Sequence, residues 1–418
     1  MPHFNYRNNT LLAERCSLED IATEFGTPCY VYSKAAFTEH YLSYQRALSD
    51  VKGNICYAVK ANSNLAILQL LAKLGAGFDI VSKGELQRVI AAGGDPQKTL
   101  FSGVGKTPEE MAFALEKQVG CFNVESSEEL LALSEVARAA GKTAAVSLRV
   151  NPDVDAKTHP YISTGLKDNK FGIDINLAVE VYQKAHDLPG IEVVGVDCHI
   201  GSQLTQLEPF LDALERILML VDKLHDLGIE LQHIDLGGGL GVTYNDEKPP
   251  AVTDYLNRVK QRLAGRNLSL FLEPGRSIAA NAGVLLTQVI YLKPTAHKNF
   301  AVVDAAMNDN IRPALYQAWQ KVQVVSPKSG KNRQWDIVGP VCETGDFLAK
   351  NRELSLAQGD RLALMSSGAY GFAMSSNYNS RGRAAEVLVD GDRAHLIRER
   401  ESFTDLIRGE HLLKEAAD

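Results

Sequence analysis

No apolar run among the 418 residues approaches the roughly 20 that a bilayer helix requires, so a membrane span is excluded. Positive charge is not in excess either: 44 Lys and Arg face 51 Asp and Glu. The resulting formal net charge of -7 argues against nucleic acid or an anionic membrane as the main partner. The start, Met1-Pro2-His3-Phe4-Asn5-Tyr6, has neither a basic n-region nor an apolar h-region, which predicts a cytoplasmic protein rather than a secreted one. Cysteine is sparse and scattered. No two of Cys16, Cys29, Cys56, Cys121, Cys198 and Cys342 lie within four residues, which excludes a CxxC redox or zinc signature, and no metal is expected. HExxH, GxSxG and EF-hand patterns are missing. Gly103-Val104-Gly105-Lys106-Thr107 is like the end of a nucleotide phosphate loop, but that loop needs glycine where Leu100 stands, so ATP binding is rejected.

What remains is the composition of a globular enzyme, 45% hydrophobic and 23% charged, too long for one ordinary core. From about residue 54 to 277, short apolar strands alternate with helical patterns. The strand candidates are Ile55–Val59, Gly77–Val81, Thr99–Ser102, Cys121–Val124, Ala144–Val150, Glu192–Cys198, Gln232–Leu236 and Ser269–Glu273. Ser82 with Glu85, and Ser126 with Glu129, fit the capping box, while Thr107-Pro108 with Glu110 fits a capped helix with proline in its first turn. Phe210, Leu214, Ile217, Val221 and Leu224 recur at helical spacing and form one core-packed face.

Eight strand-helix units predict a (β/α)8 barrel of the TIM type over residues 31–277, with a doubly wound sheet as the competitor. Beyond about residue 278 the pattern becomes β-rich: Val284–Leu292, Phe300–Val303, Trp335–Val338, Arg361–Met365 and Glu386–Val389, with a hairpin turn at Asp390-Gly391. Residues 1–30 are assigned with 278–418 to this second domain, a β-barrel or sandwich that the early strand Cys29–Tyr32 joins.

The residues suited to chemistry collect at the C-terminal ends of the predicted barrel strands. Lys60, in Tyr57-Ala58-Val59-Lys60-Ala61-Asn62, leaves an apolar strand, where a partly desolvated amine becomes a usable nucleophile toward carbonyls. Gly237-Gly238-Gly239-Leu240-Gly241 follows strand seven; its amides could cradle a phosphate or simply make a tight turn. Glu273-Pro274-Gly275-Arg276 follows strand eight, and barrels commonly bind phosphate between those two loops. A phosphate near Arg276 and an amine at Lys60 together suggest pyridoxal 5'-phosphate. Glu273 would then keep the ring nitrogen protonated. His199 could stack on the ring or be a satisfied core residue, and Ser202 could reach the phosphate. Asp79 and Arg149 could belong to the site or form an ordinary ion pair.

In the β-rich part, Arg312 and Tyr316 lie four residues apart, Cys342 adjoins Glu343, and Tyr370 stands between glycines. Guanidinium forks bind carboxylates and a carboxylate binds an ammonium, so this set could receive an amino acid.

These segments, in this order, resemble fold-type III pyridoxal-phosphate decarboxylases of the alanine-racemase-like architecture. Tyr-Ala-Val-Lys-Ala-Asn, His-Ile-Gly-Ser-Gln, Glu-Pro-Gly-Arg, Arg-Pro-Ala-Leu-Tyr and Cys-Glu-Thr-Gly-Asp carry the resemblance, which runs from Tyr30 to about Ile397. It implies that Lys60 forms the internal Schiff base and that Asp79, His199, Ser202, Gly238, Gly239, Glu273, Gly275, Arg276 and Tyr370 hold the cofactor. Arg276, Arg312, Tyr316, Glu343 and Tyr370 would contact substrate, Cys342 would donate the proton, and a homodimer would share its active sites. Thr344 stands where serine is common, and Gly382 and Ala384 lie in a stretch expected to be richer in proline. The implied reaction is loss of CO2 from meso-2,6-diaminopimelate, whose far amino-acid group needs both the arginines and Glu343. Arginine, ornithine or carboxynorspermidine as substrate, a racemase, and a non-catalytic regulator are the rivals.

Overall fold

The computed structural model describes residues 1–155, 159, 162, 164–165 and 170–413, and the chain divides into two compact units. One spans residues 35–282; the other combines residues 1–34 with the chain from Gly283 onward.

The first unit is built on β1 (Gly53–Ala58), β2 (Gly77–Ile80), β3 (Thr99–Phe101), β4 (Cys121–Val124), β5 (Ala144–Asn151), β6 (Ile191–Asp197), β7 (His233–Asp235) and β8 (Ser269–Leu272). Each pairs in parallel with the next, and β8 returns to β1 through Leu270↔Gly53 and Leu272↔Ile55. The ring is closed, which settles the choice between barrel and open sheet. Helices link successive strands, and the one over Glu208–Asp226 buries Phe210, Leu214, Ile217, Val221 and Leu224 on one face, as their spacing predicts.

Alternation along each strand sets what the barrel contains. Cys56, Leu100, Cys121, Ala145, Val194 and Phe271 come from six different strands yet form one apolar cluster, which only the interior can accommodate. Two residues further along the same faces stand Ala58, Ser102, Asn123, Ser147 and Glu273. An apolar floor therefore gives way to a polar layer toward the C-terminal ends. Gly53, Gly77 and Gly120 sit where a Cβ would strike the backbone carbonyls of Leu270, Lys98 and Gln97, so strand pairing there depends on the missing side chain.

Two helix starts depart from the predicted caps. Ser82 and Ser126 do accept from the amides of Glu85 and Glu129, but each glutamate reaches past the cap to the preceding amide, Val81 or Glu125. Only the Thr107–Glu110 box is reciprocal among these three, with Pro108 in the first turn. Lys106, just before it, is almost fully buried and donates to Glu129 at 2.7 Å and to the carbonyls of Gly103 and Asn123, also at 2.7 Å. That explains the false phosphate-loop signal: the lysine ties two barrel loops together and points at no ligand.

In the second unit, Cys29–Ser33 pairs antiparallel with Gly283–Pro294 and parallel with Ala385–Asp390. Around them run Asn299–Val303, Arg333–Val338, Phe347–Leu354, Arg361–Leu364 and Arg393–Arg398 in a mixed sheet. The hairpin turn is Gly391-Asp392, since Asp390 itself pairs with Arg393. The core joins Val31, Val284, Leu286, Ala363, Val387 and Val389 to Leu11, Leu18 and Ile21 from the N-terminal segment, whose short three-stranded sheet the sequence reading passed over.

Replacing Lys106 should expose the cost of its burial. Lys106→Met leaves the Glu129 carboxylate uncompensated and is expected to cost about 3–5 kcal/mol in urea denaturation. A loss below about 1 kcal/mol would show that the pair contributes little.

Candidate active site

β1 stops at Ala58, and a 3₁₀ turn over Val59–Ala61 carries Lys60 to the barrel rim. Asn62 stabilises the turn from below: its side chain accepts from the Asn64 amide, and its carbonyl accepts from the Tyr57 hydroxyl. Lys60 keeps about a third of its side chain exposed (36%) and donates to Asp79 at 2.7 Å; the carboxylate itself is wholly buried. The amine is thus partly desolvated, as its place at a strand end predicts, and it adds an ion pair that the sequence did not specify.

Asp79 does not pair with Arg149. Arg149 instead binds Glu125 at 3.0 Å, stacks over Phe171 and lies 3.9 Å from Asp197. The reason is register: Asp79 ends its strand beside β1, whereas Arg149 projects between β4 and β6, which supply Glu125 and Asp197.

Glu273 stands just beyond β8. Its Oε1 accepts from Ser102 at 3.3 Å and from Asn123 at 3.2 Å, and Asn123 also donates to Ser102. Asp197 and Asp235 approach it so closely that one oxygen from each of the three carboxyls lies within 4.8 Å of the others. Burial, with Asp79, Asp235 and Asp197 as neighbours, pushes the Glu273 carboxyl well above its ordinary range, against the pull of Lys60. Burial likewise raises Asp235, and lifts Asp197 to about 7.

His199 has a neutral ring. Its Nδ1 accepts from the Gly238 amide at 3.1 Å, and burial with Arg149 and Lys60 nearby holds its pKa well below the usual value. Gly237 and Gly239 both take positive φ, 63° and 102°. The Gly237 amide donates to Asp235 and the Gly241 amide to the Leu204 carbonyl. Three amides of the glycine run are therefore committed inside the protein, as the tight-turn alternative requires for that part of it. Beside it, Arg276 donates to Ser202 at 3.0 and 3.1 Å and to the Tyr244 hydroxyl at 2.7 Å, in the turn that follows Gly275.

This barrel mouth fits the cofactor. Buried oxygens of Asp79, Asp197 and Asp235 have no hydrogen-bond partner, so acceptors for a cationic ring are in place. The guanidinium of Arg276 with the Ser202 hydroxyl supplies charge and a donor for a phosphate.

In the second unit three loops are knitted together. Asn310 donates to Gln320, which donates to Ser367, placing the Arg312–Tyr316 helix beside the loop of Tyr370. Asp346 accepts from the amides of Met307 and Val341, fixing the turn that exposes Cys342 and Glu343. The Cys342 amide donates to Asn379, and Tyr378 donates to Glu343 at 2.7 Å. Tyr370 adopts φ 55°, an uncommon conformation away from glycine.

Sequence reasoning missed Asp197, Asp235, Ser102, Asn123, Glu125 and Tyr244. Asp197 and Asp235 carried the same signal that drew attention to Lys60, an ionisable residue ending an apolar strand.

The raised Glu273 carboxyl makes a pH prediction for the cofactor-free protein. A folded-state pKa above the unfolded value gives stability that is full below the ordinary carboxyl range and is lost as pH rises through the folded value. Glu273→Gln should therefore raise the melting temperature more at about pH 8 than at about pH 5, at about 1.4 kcal/mol for each unit of pH-linked shift removed. An equal effect at both pH values would contradict it.

Residues 34–280 match the family described as pyridoxal-dependent decarboxylase, pyridoxal binding domain. The diaminopimelate decarboxylase of Pseudomonas aeruginosa is 64% identical over 99% of this chain and all of its own length. That of Vibrio cholerae is 58% identical over 99% of this chain and all of its own. A crystal structure of the Helicobacter pylori enzyme complexed with L-lysine superposes with a TM-score of 0.91 at 43% identity, covering 93% of this chain and 98% of that one. One from M. jannaschii, also with L-lysine, gives 0.93 at 38% identity, covering 98% of each. The chain belongs to the pyridoxal-dependent decarboxylases and, within them, to the diaminopimelate decarboxylase family.

Proposed function

We propose that this protein decarboxylates meso-2,6-diaminopimelate to L-lysine and CO2, the last step of lysine biosynthesis, as a cytoplasmic homodimer. It is a carboxy-lyase and uses pyridoxal 5'-phosphate. When bound, the cofactor supplies an electron sink for the pair that departing CO2 leaves behind. The observation that carries the reading is Lys60, held by Asp79 at the rim of a barrel whose interior holds unneutralised carboxyls.

The roles divide by chemistry. Lys60 offers the amine that tethers the cofactor. Glu273, steadied by Ser102 and Asn123, is the acid-base partner of its ring nitrogen. A neutral His199 offers a flat, uncharged face for the ring. Arg276, Ser202, Gly239 and Gly275 serve the phosphate, with Gly238 acting indirectly by fixing His199. Arg312, Tyr316, Glu343 and Tyr370 are assigned to the substrate's two amino-acid ends, with Arg276 shared. Cys342 delivers a proton from Sγ to the carbon that has lost CO2. Its exposure, and that of Glu343, suits a segment that serves the partner subunit's barrel.

Evolution of CO2 from meso-diaminopimelate, ornithine, arginine and carboxynorspermidine separates the substrate readings, with only the first expected to turn over efficiently. Borohydride should fix the cofactor to the peptide containing residue 60, and Lys60→Met should abolish both labelling and CO2 release. Arg312→Ala should raise KM for diaminopimelate by about 100-fold or more, since a carboxylate left unpaired costs several kcal/mol. An unchanged KM would remove Arg312 from the substrate pocket.

A further inference from the structure

Carboxyls outnumber cations in the upper barrel. Asp79 takes Lys60 and Glu125 takes Arg149, which leaves Asp197, Asp235 and Glu273 with only a distant share of Arg149. All three are buried. Asp235 commits Oδ1 to the Gly237 amide, its Oδ2 has no donor, and one of its carboxyl oxygens lies within 4.8 Å of one from Glu273 and one from Asp197. Two buried carboxylates at that separation repel one another, and a hydrogen kept on one of them removes the repulsion.

We propose that Asp235 is a positioning residue that acts through Glu273: the two side chains share one proton across their facing oxygens, held ready for the cofactor's ring nitrogen. Asn123 and Ser102 occupy Glu273 Oε1 as donors, which leaves the other oxygen to carry the shared proton. When a ring nitrogen with a free electron pair meets Glu273, the O–H bond breaks and an N–H bond forms. The carboxylate left behind keeps its two donors, and the proton comes from the protein rather than from water. The titratable groups near the pair are Lys60 and Cys56 from the β1 segment, Asp79 from β2, Cys121 from β4, Arg149 from β5, Asp197 and Cys198 from the end of β6, and Tyr255 from the helix before β8. Lys60 opposes the sharing and Asp79 and Asp197 favour it; burial of the pair favours it further.

The proposal rests on the cofactor reading for its purpose but not for its test. The cofactor-free protein at about pH 9, above the range near 7 where Asp197 titrates, should show the infrared carbonyl stretch of a protonated carboxyl. That band should vanish in both Asp235→Asn and Glu273→Gln and persist in Asp197→Asn. On binding pyridoxal phosphate, calorimetry in two buffers of different ionisation enthalpy should find Asp235→Asn taking up about one proton more than the wild type. Asp235→Glu should restore the wild-type count. A wild-type protein without the band, or a band surviving in Asp235→Asn, would overturn the shared proton. An unchanged proton count in a folded Asp235→Asn protein would overturn its delivery. Failure of the wild type to bind the cofactor at all would instead count against the functional reading, leaving the infrared result to decide the pair.

Discussion

Negative charge confined inside a barrel is the constraint on which the rest of this structure turns. Folding brings Asp79, Asp197, Asp235 and Glu273 out of water, and desolvation alone makes each of them costly as an anion. The chain offsets part of the cost with Lys60 and Arg149, part with donors from Ser102, Asn123 and the Gly237 amide, and part by retaining protons. What is left is an unfilled demand for a cation at one depth, which a pyridinium meets. Binding and catalysis thus draw on the same electrostatic deficit.

The barrel supports this by layering. Cys56, Leu100, Cys121 and Phe271 make a dry floor below the carboxyls, so the polar layer faces solvent from one end only. The closed strand ring fixes each side chain by register rather than by loop conformation, which suits groups whose protonation depends on near neighbours. The β-rich unit works differently. Its receptor residues sit on loops held by Asn310, Gln320, Ser367 and Asp346, a buried hydrogen-bond network in place of a sheet.

The barrel was readable from the chain because strand and helix periods alternate cleanly, and all eight strands lie within two residues of where the apolar runs place them. The motif residues were readable because each is an odd chemical type at the end of such a run. Pairing was not. Asp79 with Lys60 rather than Arg149 depends on which strands are neighbours in space, and the reach of Glu85 to Val81 depends on a rotamer. The glycine run was legible only in part for a related cause: spacing says that amides can approach a ligand, but not that Asp235 and His199 have already claimed two of them. Lys106 is the converse case: the sequence rules out a phosphate loop there, but only the fold shows that its amine is buried and structural.

Five of the six thiols are withdrawn from reagents to some degree: Cys29, Cys56, Cys121 and Cys198 are buried, and Cys16 is partly covered with its thiol raised above the ordinary range. Cys342 alone stands open. A thiol-directed electrophile reaching the single chain therefore meets that sulfur first among the cysteines. Alkylation of thiols is concentrated on a single atom, and a one-to-one thiol titration reads its condition directly.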